Sequence, residues 1–258
     1  MMKLSFTTMA TPTLRIDEAI EVAKAYGFHG IDFRVMEQGN GEIDRTITAE
    51  EAERIQGCLG NIKLPSLLCY NKKVNDGRVE MVDSILEYIQ LANKLNIPVI
   101  RIFTGKLKDE QLPELIGILC EILERDGSKV ILGMQNHLGQ GISPVQALKV
   151  CKTLNSNRVK LIFSPEQAIM AGQKFEEIME ELAPYIVQVY VADIDKAGQY
   201  VLPRKGVVEF EKIFRILYSH DFSGYVTLKW EKCWKPELPE YPVAFDAFMK
   251  WVSDIQMN

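Results

Sequence analysis

Eight short apolar runs, each followed by a segment with helical periodicity, constrain the fold of this 258-residue chain more than any other feature. The runs are rich in β-branched residues, whereas the segments between them repeat apolar residues every three to four positions. A parallel strand pair needs a long crossover, usually a helix, so strict alternation predicts a parallel sheet. Eight units in a chain of this length predict an α/β fold, a single (β/α)8 TIM barrel, with residues 1–258 as one domain.

The predicted strands are Lys3–Thr8, Gly30–Val35, Lys63–Tyr70, Pro98–Phe103, Lys129–Asn136, Val159–Ser164, Ile186–Ala192 and Gly224–Trp230. The predicted helices are Arg15–Tyr26, one opening at Thr48, Val79–Leu95, Asp109–Glu124, Pro144–Leu154, Glu166–Leu182, Glu209–Ser219 and Val243–Ile255. Gly27 is placed to end the first helix in a left-handed conformation, and Thr48 is placed to cap the second. No GxGxxG motif follows a strand, which disfavours a dinucleotide-binding sheet.

Composition narrows the classes of function. The formal net charge of −5 provides no field that would attract nucleic acid, so we expect no nucleic-acid partner. No run approaches the ~18 apolar residues of a membrane span, and the first residues lack the apolar run of a signal peptide, so we expect a cytoplasmic protein without a membrane partner. The five cysteines are widely spaced and form no CxxC pair, which predicts reduced thiols.

Polar residues follow most of the predicted strands. In a TIM barrel the C-terminal ends of the strands build the functional site, so these residues are expected to converge on one pocket. The candidate ligand-binding residues at these positions are Arg34, Tyr70, Arg101, Gln135, Ser164, Gln167, Tyr190, Asp193 and Trp230. Arg101 is expected to pair with a buried carboxylate such as Asp32, because an inward-facing arginine needs a partner or an anion.

Six segments follow one another along nearly the whole chain: DEAIEVAKAYGFHGIDFR, VIRIF, GMQNH, SPEQAIMAG, VYVAD and VTLKWE. Together they resemble the xylose-isomerase-like TIM barrels, a group that includes sugar and sugar-phosphate isomerases and epimerases and zinc endonucleases of abasic DNA. The resemblance implies a small polar or anionic carbohydrate as ligand, and isomerisation or epimerisation as the reaction. Barrels of this kind often form homodimers, although no residue here specifies an interface.

The resemblance also implies a divalent cation such as Mn, Mg, Co or Zn, held by carboxylates and imidazole from strands five to eight. The matching positions here are Gln135, Ser164, Gln167, Tyr190 and Lys229. None supplies a carboxylate or an imidazole, and a protonated lysine repels a cation. We therefore expect no metal cofactor. An alternative site rebuilt from other residues stays open, and its candidates are His137, Glu166, Asp193 and Glu231.

Lys229 is the most informative of these substitutions. Its two-residue spacing from Glu231 places both side chains on one face of a strand. The ammonium can pair with Glu231, Glu166 or Asp193, can take the place of the metal and bind a ligand oxygen, or can form a Schiff base.

Three functions follow from these interpretations of Lys229. They are a metal-free isomerase or epimerase, an inactive ligand-binding or regulatory barrel, and a Lys229-dependent lyase or aldolase. The candidate catalytic residues are His137, Glu166, Lys229 and Glu231.

Overall fold

The computed structural model describes residues 3–36 and 41–256, and these contain a closed barrel of eight parallel strands. The barrel strands are β1 (Lys3–Thr7), β2 (Gly30–Arg34), β3 (Leu67–Leu68), β4 (Val99–Ile102), β5 (Ile131–Gln135), β6 (Val159–Phe163), β7 (Ile186–Val191) and β10 (Tyr225–Leu228). They follow one another around the ring in chain order, and β10 closes the ring by pairing with β1. A two-stranded antiparallel ribbon, β8 (Asp193–Ile194) and β9 (Tyr200–Val201), extends from β7. The predicted (β/α)8 barrel is confirmed.

Helices connect successive strands on the outside of the barrel. They are α1 (Ile16–Ala25), α2 (Ala49–Leu59), α3 (Arg78–Lys94), α4 (Leu112–Arg125), α5 (Pro144–Leu154), α6 (Pro165–Met170), α7 (Met179–Leu182), α8 (Phe210–Ser219) and α9 (Tyr241–Gln256). Short 3-10 turns occupy Thr8–Ala10, Val74–Asp76, Asp109–Gln111, Glu176–Ile178 and Ala183–Tyr185. Gly27 follows α1 with a φ of 74°, as predicted, and the Thr48 side chain caps α2 by accepting a hydrogen bond from the Glu51 N–H at 3.1 Å. Within residues 3–36 and 41–256 no helix is long and apolar enough to cross a membrane.

The last helix seals the junction at which the barrel closes. Phe245 of α9 lies 4.6 Å from Phe6 of β1 and 5.0 Å from Phe28, measured between ring centroids. All three side chains are buried, and aromatic packing of this kind stabilises beyond the area it buries. The contact fixes α9 against β1, and it therefore also fixes the loop after β10 that leads into α9.

Three predicted elements end differently in the structure. The third strand was predicted over Lys63–Tyr70 but pairs regularly only at Leu67–Leu68, because Pro65 has no N–H for the ladder. The predicted helix from Glu166 to Leu182 breaks after α6, where Gly172 takes a φ of 63°. The eighth barrel strand ends at Leu228, although the Lys229 N–H still bonds to the Val191 carbonyl at 2.9 Å.

A buried polar layer crosses the barrel interior around Asp32 of β2. Its carboxylate accepts hydrogen bonds from the Ser5 hydroxyl at 2.8 Å, the Ser66 hydroxyl at 2.5 Å and the Gln188 amide at 3.0 Å. Burial raises the pKa of Asp32 to about 6, and the three hydrogen bonds limit the rise. Arg101 is not among these partners, so the expected Arg101–Asp32 pair was wrong.

The raised pKa of Asp32 makes stability depend on pH. The favourable contribution of the protonated carboxyl is fully present below about pH 4 and is lost as the pH rises through about 6. At pH 7.5 the free energy of unfolding of Asp32→Asn is therefore expected to be about 2–3 kcal/mol higher than that of the wild type, so the variant is more stable. At pH 4 the two free energies of unfolding are expected to differ little. Urea denaturation across this pH range measures the effect, with Asp246→Asn on the exposed side of α9 as control. A difference that does not change with pH would contradict this account of Asp32.

Candidate functional site

A cavity of about 580 Å³ opens at the C-terminal ends of the barrel strands, where the sequence predicted the site. Its charged and titratable wall residues are Lys73, Arg101, His137, Lys229, Glu231 and Lys235, together with Tyr70 and Tyr200. Its other wall residues are Met9, Asn71, Phe103, Gln135, Leu138, Gln140, Gln167, Met170 and Trp234. Four cationic side chains and one carboxylate face the cavity, so its wall favours a polar ligand with negative charge.

Lys229 lies at the centre of a buried ion-pair cluster. Its Nζ is 3.1 Å from Glu166 Oε1 and 2.5 Å from Glu231 Oε1, and all three side chains are buried. Glu231 shares the cavity wall with Lys229, whereas Glu166 at the start of α6 lies outside that wall, in contact with the Lys229 ammonium. Of the three partners considered for Lys229, the structure pairs it with Glu166 and Glu231. Together the Lys229 ammonium and the two carboxylates carry a formal charge of −1.

The surroundings of Lys229 keep it protonated. Burial alone would lower the pKa of Lys229, but Glu231 and Glu166 together outweigh burial and raise the pKa well above its ordinary value. Burial raises the pKa of Glu166, and the nearby Lys229 ammonium opposes that rise. The amine of Lys229 is therefore an ammonium at neutral pH, which makes it a hydrogen-bond donor and not a nucleophile.

The family's divalent cation does not fit this arrangement. The Lys229 ammonium occupies the space between the two nearest carboxylates, so a cation there would meet direct charge repulsion. Gln135 uses its amide to bridge Arg101 and Ser164, at 3.2 and 2.9 Å. Across residues 3–36 and 41–256 no group of three or more His, Cys, Asp or Glu side chains is placed to hold a metal. The alternative of a rebuilt metal site therefore finds no support in this donor set.

Arg101 projects from β4 into the cavity and is only 3% exposed. Its Nη1 donates to Gln135 Oε1 at 3.2 Å. Its guanidinium carbon lies 4.0 Å from the centroid of the Phe103 ring and 4.9 Å from that of the Tyr70 ring. The remaining guanidinium nitrogens, Nε and Nη2, have no hydrogen-bond partner in the part of the chain that the structure describes.

His137 follows β5 and is half-buried in the cavity wall. Burial lowers its pKa to about 4, and the nearby ammonium of Lys229 adds to the effect. Its Nδ1 lies 2.9 Å from the Leu138 carbonyl, which assigns the ring proton to Nδ1 and leaves Nε2 as the acceptor. The imidazole is therefore neutral at physiological pH and is able to accept a proton.

The β8–β9 ribbon contributes a wall residue that the sequence did not single out. Tyr200 of β9 accepts a hydrogen bond from the Gln167 amide at 3.0 Å, and its ring lies 5.9 Å from Lys229 Nζ. Gln167 in turn accepts from the Leu138 N–H at 3.2 Å. This chain of contacts places Gln167 in the wall as predicted, but ties it to Tyr200 and to the loop after β5.

Two predicted binding residues, Arg34 and Trp230, make structural contacts outside the cavity wall. Arg34 forms a buried ion pair with Glu42 and donates from Nη1 to the Cys233 sulfur at 3.3 Å. Trp230 is 1% exposed and donates from Nε1 to the Pro239 carbonyl at 2.9 Å. Both residues therefore organise the loop after β10 and are left out of the candidate binding set.

Three further predicted binding residues, Ser164, Tyr190 and Asp193, also lie outside the wall. The Ser164 hydroxyl accepts from the Gln135 amide, and Tyr190 is fully buried in the barrel interior. Asp193 accepts from the backbone N–H groups of Gly206, at 2.8 Å, and Val208, at 3.2 Å. Asp193 thus holds the chain after the ribbon, and it is not a partner of Lys229.

Several wall residues were not predicted from the sequence, among them Lys73, Phe103, Tyr200 and Lys235. Phe103 is the last residue of the VIRIF segment, so its position at a strand end was a usable signal. The other three lie in irregular loops or in the two-residue strand β9. No hydrophobic periodicity marks such segments, so nothing in the sequence pointed them toward the cavity.

Comparison with known proteins agrees with the fold. Residues 20–250 match the xylose isomerase-like TIM barrel family, and the chain belongs to this family. An inosose dehydratase of Clostridium botulinum (strain Alaska E43 / Type E3) is 23% identical over an alignment of 133 residues, and the match covers 44% of this chain and 44% of the relative. The chain thus spans less than half the length of that relative.

Two solved structures have the same fold. One, described as IOLI protein with a binding zinc atom, superposes with a TM-score of 0.80 at 17% identity, and the match covers 98% of each chain. The other, a D-tagatose 3-epimerase-like protein, superposes with a TM-score of 0.76 at 15% identity over 99% of each chain. At these identities the similarity concerns the fold.

Proposed function

We propose that this barrel acts on a small polar or anionic carbohydrate by moving a proton next to a carbonyl group, as isomerases and epimerases do, without a metal. The observation that carries the proposal is the buried Lys229 ammonium, which faces the cavity between Glu166 and Glu231. The names of the relatives, an inosose dehydratase and a D-tagatose 3-epimerase-like protein, support a carbohydrate ligand.

Lys229 is suited to bind a carbonyl oxygen of the ligand. An ammonium has three N–H donors, and the two neighbouring carboxylates use two of them. The third donor is left for an oxygen in the cavity. When a proton leaves the adjacent carbon, negative charge develops on that oxygen, and a fixed ammonium in a buried site stabilises it strongly.

Glu231 and His137 are the candidate bases, because both line the cavity and the neutral imidazole of His137 has an unprotonated Nε2. One of them removes the proton from the carbon next to the carbonyl, and an enediolate forms with its negative charge on the former carbonyl oxygen. Return of the proton to the neighbouring carbon, with transfer of the hydroxyl proton between the two oxygens, interconverts an aldose and a ketose, whereas return to the opposite face of the original carbon inverts the centre. No oxidant or reductant is consumed.

Of the two competing functions, the inactive ligand-binding barrel is supported by an observation and the Schiff-base lyase is not. An inactive ligand-binding barrel is favoured by Gln135, since an amide at a position where the resemblance implies a carboxylate or an imidazole does not act as a base. A Schiff-base lyase requires a neutral amine, and the raised pKa of Lys229 opposes it.

Solvent deuterium exchange separates these functions. We expect the protein, dialysed against EDTA, to exchange the hydrogen next to the carbonyl of at least one member of a ketose panel in D2O, as followed by proton NMR. Glu231→Gln is expected to slow the exchange about 100-fold to 10,000-fold, because the base is lost. Glu237→Gln, an exposed carboxylate in the same loop, is the matched control. Absence of exchange across the panel would favour the binding barrel, and exchange that needs added Mn²⁺ would refute the metal-free proposal.

A further inference from the structure

We propose that Arg101 is the anchor for a carboxylate group of the ligand, so that the substrate class is a sugar acid and not a neutral sugar. The inference deepens the proposed function, because it uses the same cavity and assigns the end of the ligand opposite Lys229. It starts from a cationic side chain that is 3% exposed, lines the cavity and has two nitrogens without partners.

Unpartnered donors on a buried cation are costly, because the group gives up water and receives nothing in return. Within residues 3–36 and 41–256 no carboxylate lies within 4.0 Å of the Arg101 guanidinium, and its one hydrogen bond goes to the neutral amide of Gln135. Arg34, by contrast, is buried against Glu42. The site at Arg101 therefore carries one unbalanced positive charge until an anion enters the cavity.

The two free nitrogens select the shape of that anion. Nε and Nη2 lie on the same edge of the planar guanidinium, and their N–H groups point in parallel as a two-pronged fork. The spacing of this fork matches the two oxygens of a carboxylate, which is also planar. A phosphate group is tetrahedral, and two coplanar donors leave its third oxygen without a partner from Arg101.

The fork is held in place before a ligand arrives, with Nε and Nη2 both buried. Gln135 fixes Nη1 on the opposite edge at 3.2 Å, and the Phe103 ring covers the guanidinium plane at 4.0 Å. Tyr70 approaches from a second side at 4.9 Å. A side chain that is already oriented loses less conformational entropy on binding, so these contacts favour affinity and a fixed ligand orientation.

The position of Arg101 in the ring gives the ligand its direction. The order of strands is β10, β7, β6, β5 and β4, so β4 is four strands from β10 in a ring of eight. Arg101 on β4 and Lys229 after β10 therefore extend from opposite sides of the barrel into one cavity. A ligand whose carboxylate meets Arg101 places its far end toward the Lys229 ammonium, as a chain of several carbons with an acid at one end and a carbonyl at the other would do.

Isothermal titration calorimetry with matched ligands tests the anchor. The probes are D-glucuronate and D-galacturonate, their parent hexoses, and the corresponding hexose 6-phosphates, all at one pH and ionic strength. We expect at least one uronate to bind more than 10-fold tighter than its hexose and its 6-phosphate. Arg101→Met and Arg101→Lys are both expected to remove this preference, because lysine keeps the charge but lacks the fork. Arg215→Met, on the exposed side of α8, is the control that keeps it.

Other outcomes overturn the proposal. Equal affinity for acid and neutral sugar, no binding of any probe, or a preference that survives in Arg101→Lys would refute the carboxylate fork, and tighter binding of a 6-phosphate would assign the site to phosphate instead. Thermal melts identify a variant that fails to fold, and Arg101→Lys keeps the test decisive if Arg101→Met fails to fold.

Selective uronate binding without deuterium exchange would keep the anchor and refute the proposed function. Deuterium exchange on neutral sugars alone would keep the proposed function and refute the carboxylate anchor.

Discussion

Lys229→Met is expected to lower the free energy of unfolding by about 3–5 kcal/mol, the usual loss when one partner of a buried ion pair is removed. The substitution keeps most of the apolar stem but leaves Glu166 and Glu231 buried without their cation. For a chain of this size the loss corresponds to a fall in Tm of roughly 6–15 °C. Urea denaturation and thermal melts at pH 7.5 measure it.

The pH dependence of that loss identifies its cause. In Lys229→Met the pKa of Glu166, already raised by burial, rises further because the ammonium no longer opposes it. A carboxyl with a raised folded-state pKa contributes stability at low pH and loses that contribution as the pH rises through the folded-state value. The deficit of the variant is therefore expected to shrink toward pH 5. Lys235→Met, an exposed lysine in the same loop, controls for the loss of one positive charge, and a deficit under 1 kcal/mol at pH 7.5 would contradict the ion-pair account.

Lys229→Glu is expected to give the barrel an affinity for divalent cations. The substitution places a third carboxylate beside Glu166 and Glu231, and three carboxylates around one point repel one another but attract a +2 ion placed between them more strongly. Without metal the variant is expected to be less stable than the wild type. With Mn²⁺ at 100 times the dissociation constant it is expected to regain about 2.7 kcal/mol.

Thermal shift with and without 1 mM Mn²⁺ measures this gain. Lys229→Gln is the matched control, because it has nearly the same shape and adds no charge. Equal responses to Mn²⁺ in the two variants would show that the charge at position 229 does not decide metal binding. A response in Lys229→Glu alone would support the account in which the lysine stands where a cation would otherwise lie.

The alternation of strands and helices was enough to predict the barrel, because each parallel strand return requires a helix of its own. The same regularity placed the side chains of Lys229 and Glu231 on one face, and the structure brings their charged atoms to 2.5 Å. Strand ends were less predictable. Pro65 shortened the third strand, and Gly172 broke the helix after the sixth, in each case through a local backbone property that periodicity does not report.

The depth of a residue along the barrel was the main obstacle to predicting the site. Arg101 and Asp32 both lie on interior strand positions, which suggested an ion pair. In the structure Asp32 is saturated by hydroxyl and amide donors in an inner layer, whereas Arg101 reaches the cavity. Tyr200 comes from a short ribbon inserted after β7, and no pattern in the sequence linked it to Lys229.

Metal analysis of the wild-type protein tests the central claim, that the Lys229 ammonium takes the place of a divalent cation. The protein is purified without chelator and analysed for Mn, Mg, Co and Zn by mass spectrometry, and then titrated with Mn²⁺ by calorimetry beside Lys229→Glu. We expect well under 0.1 metal ion per wild-type chain and no heat of specific binding, with saturable binding in the variant. About one tightly held ion per wild-type chain would contradict the claim.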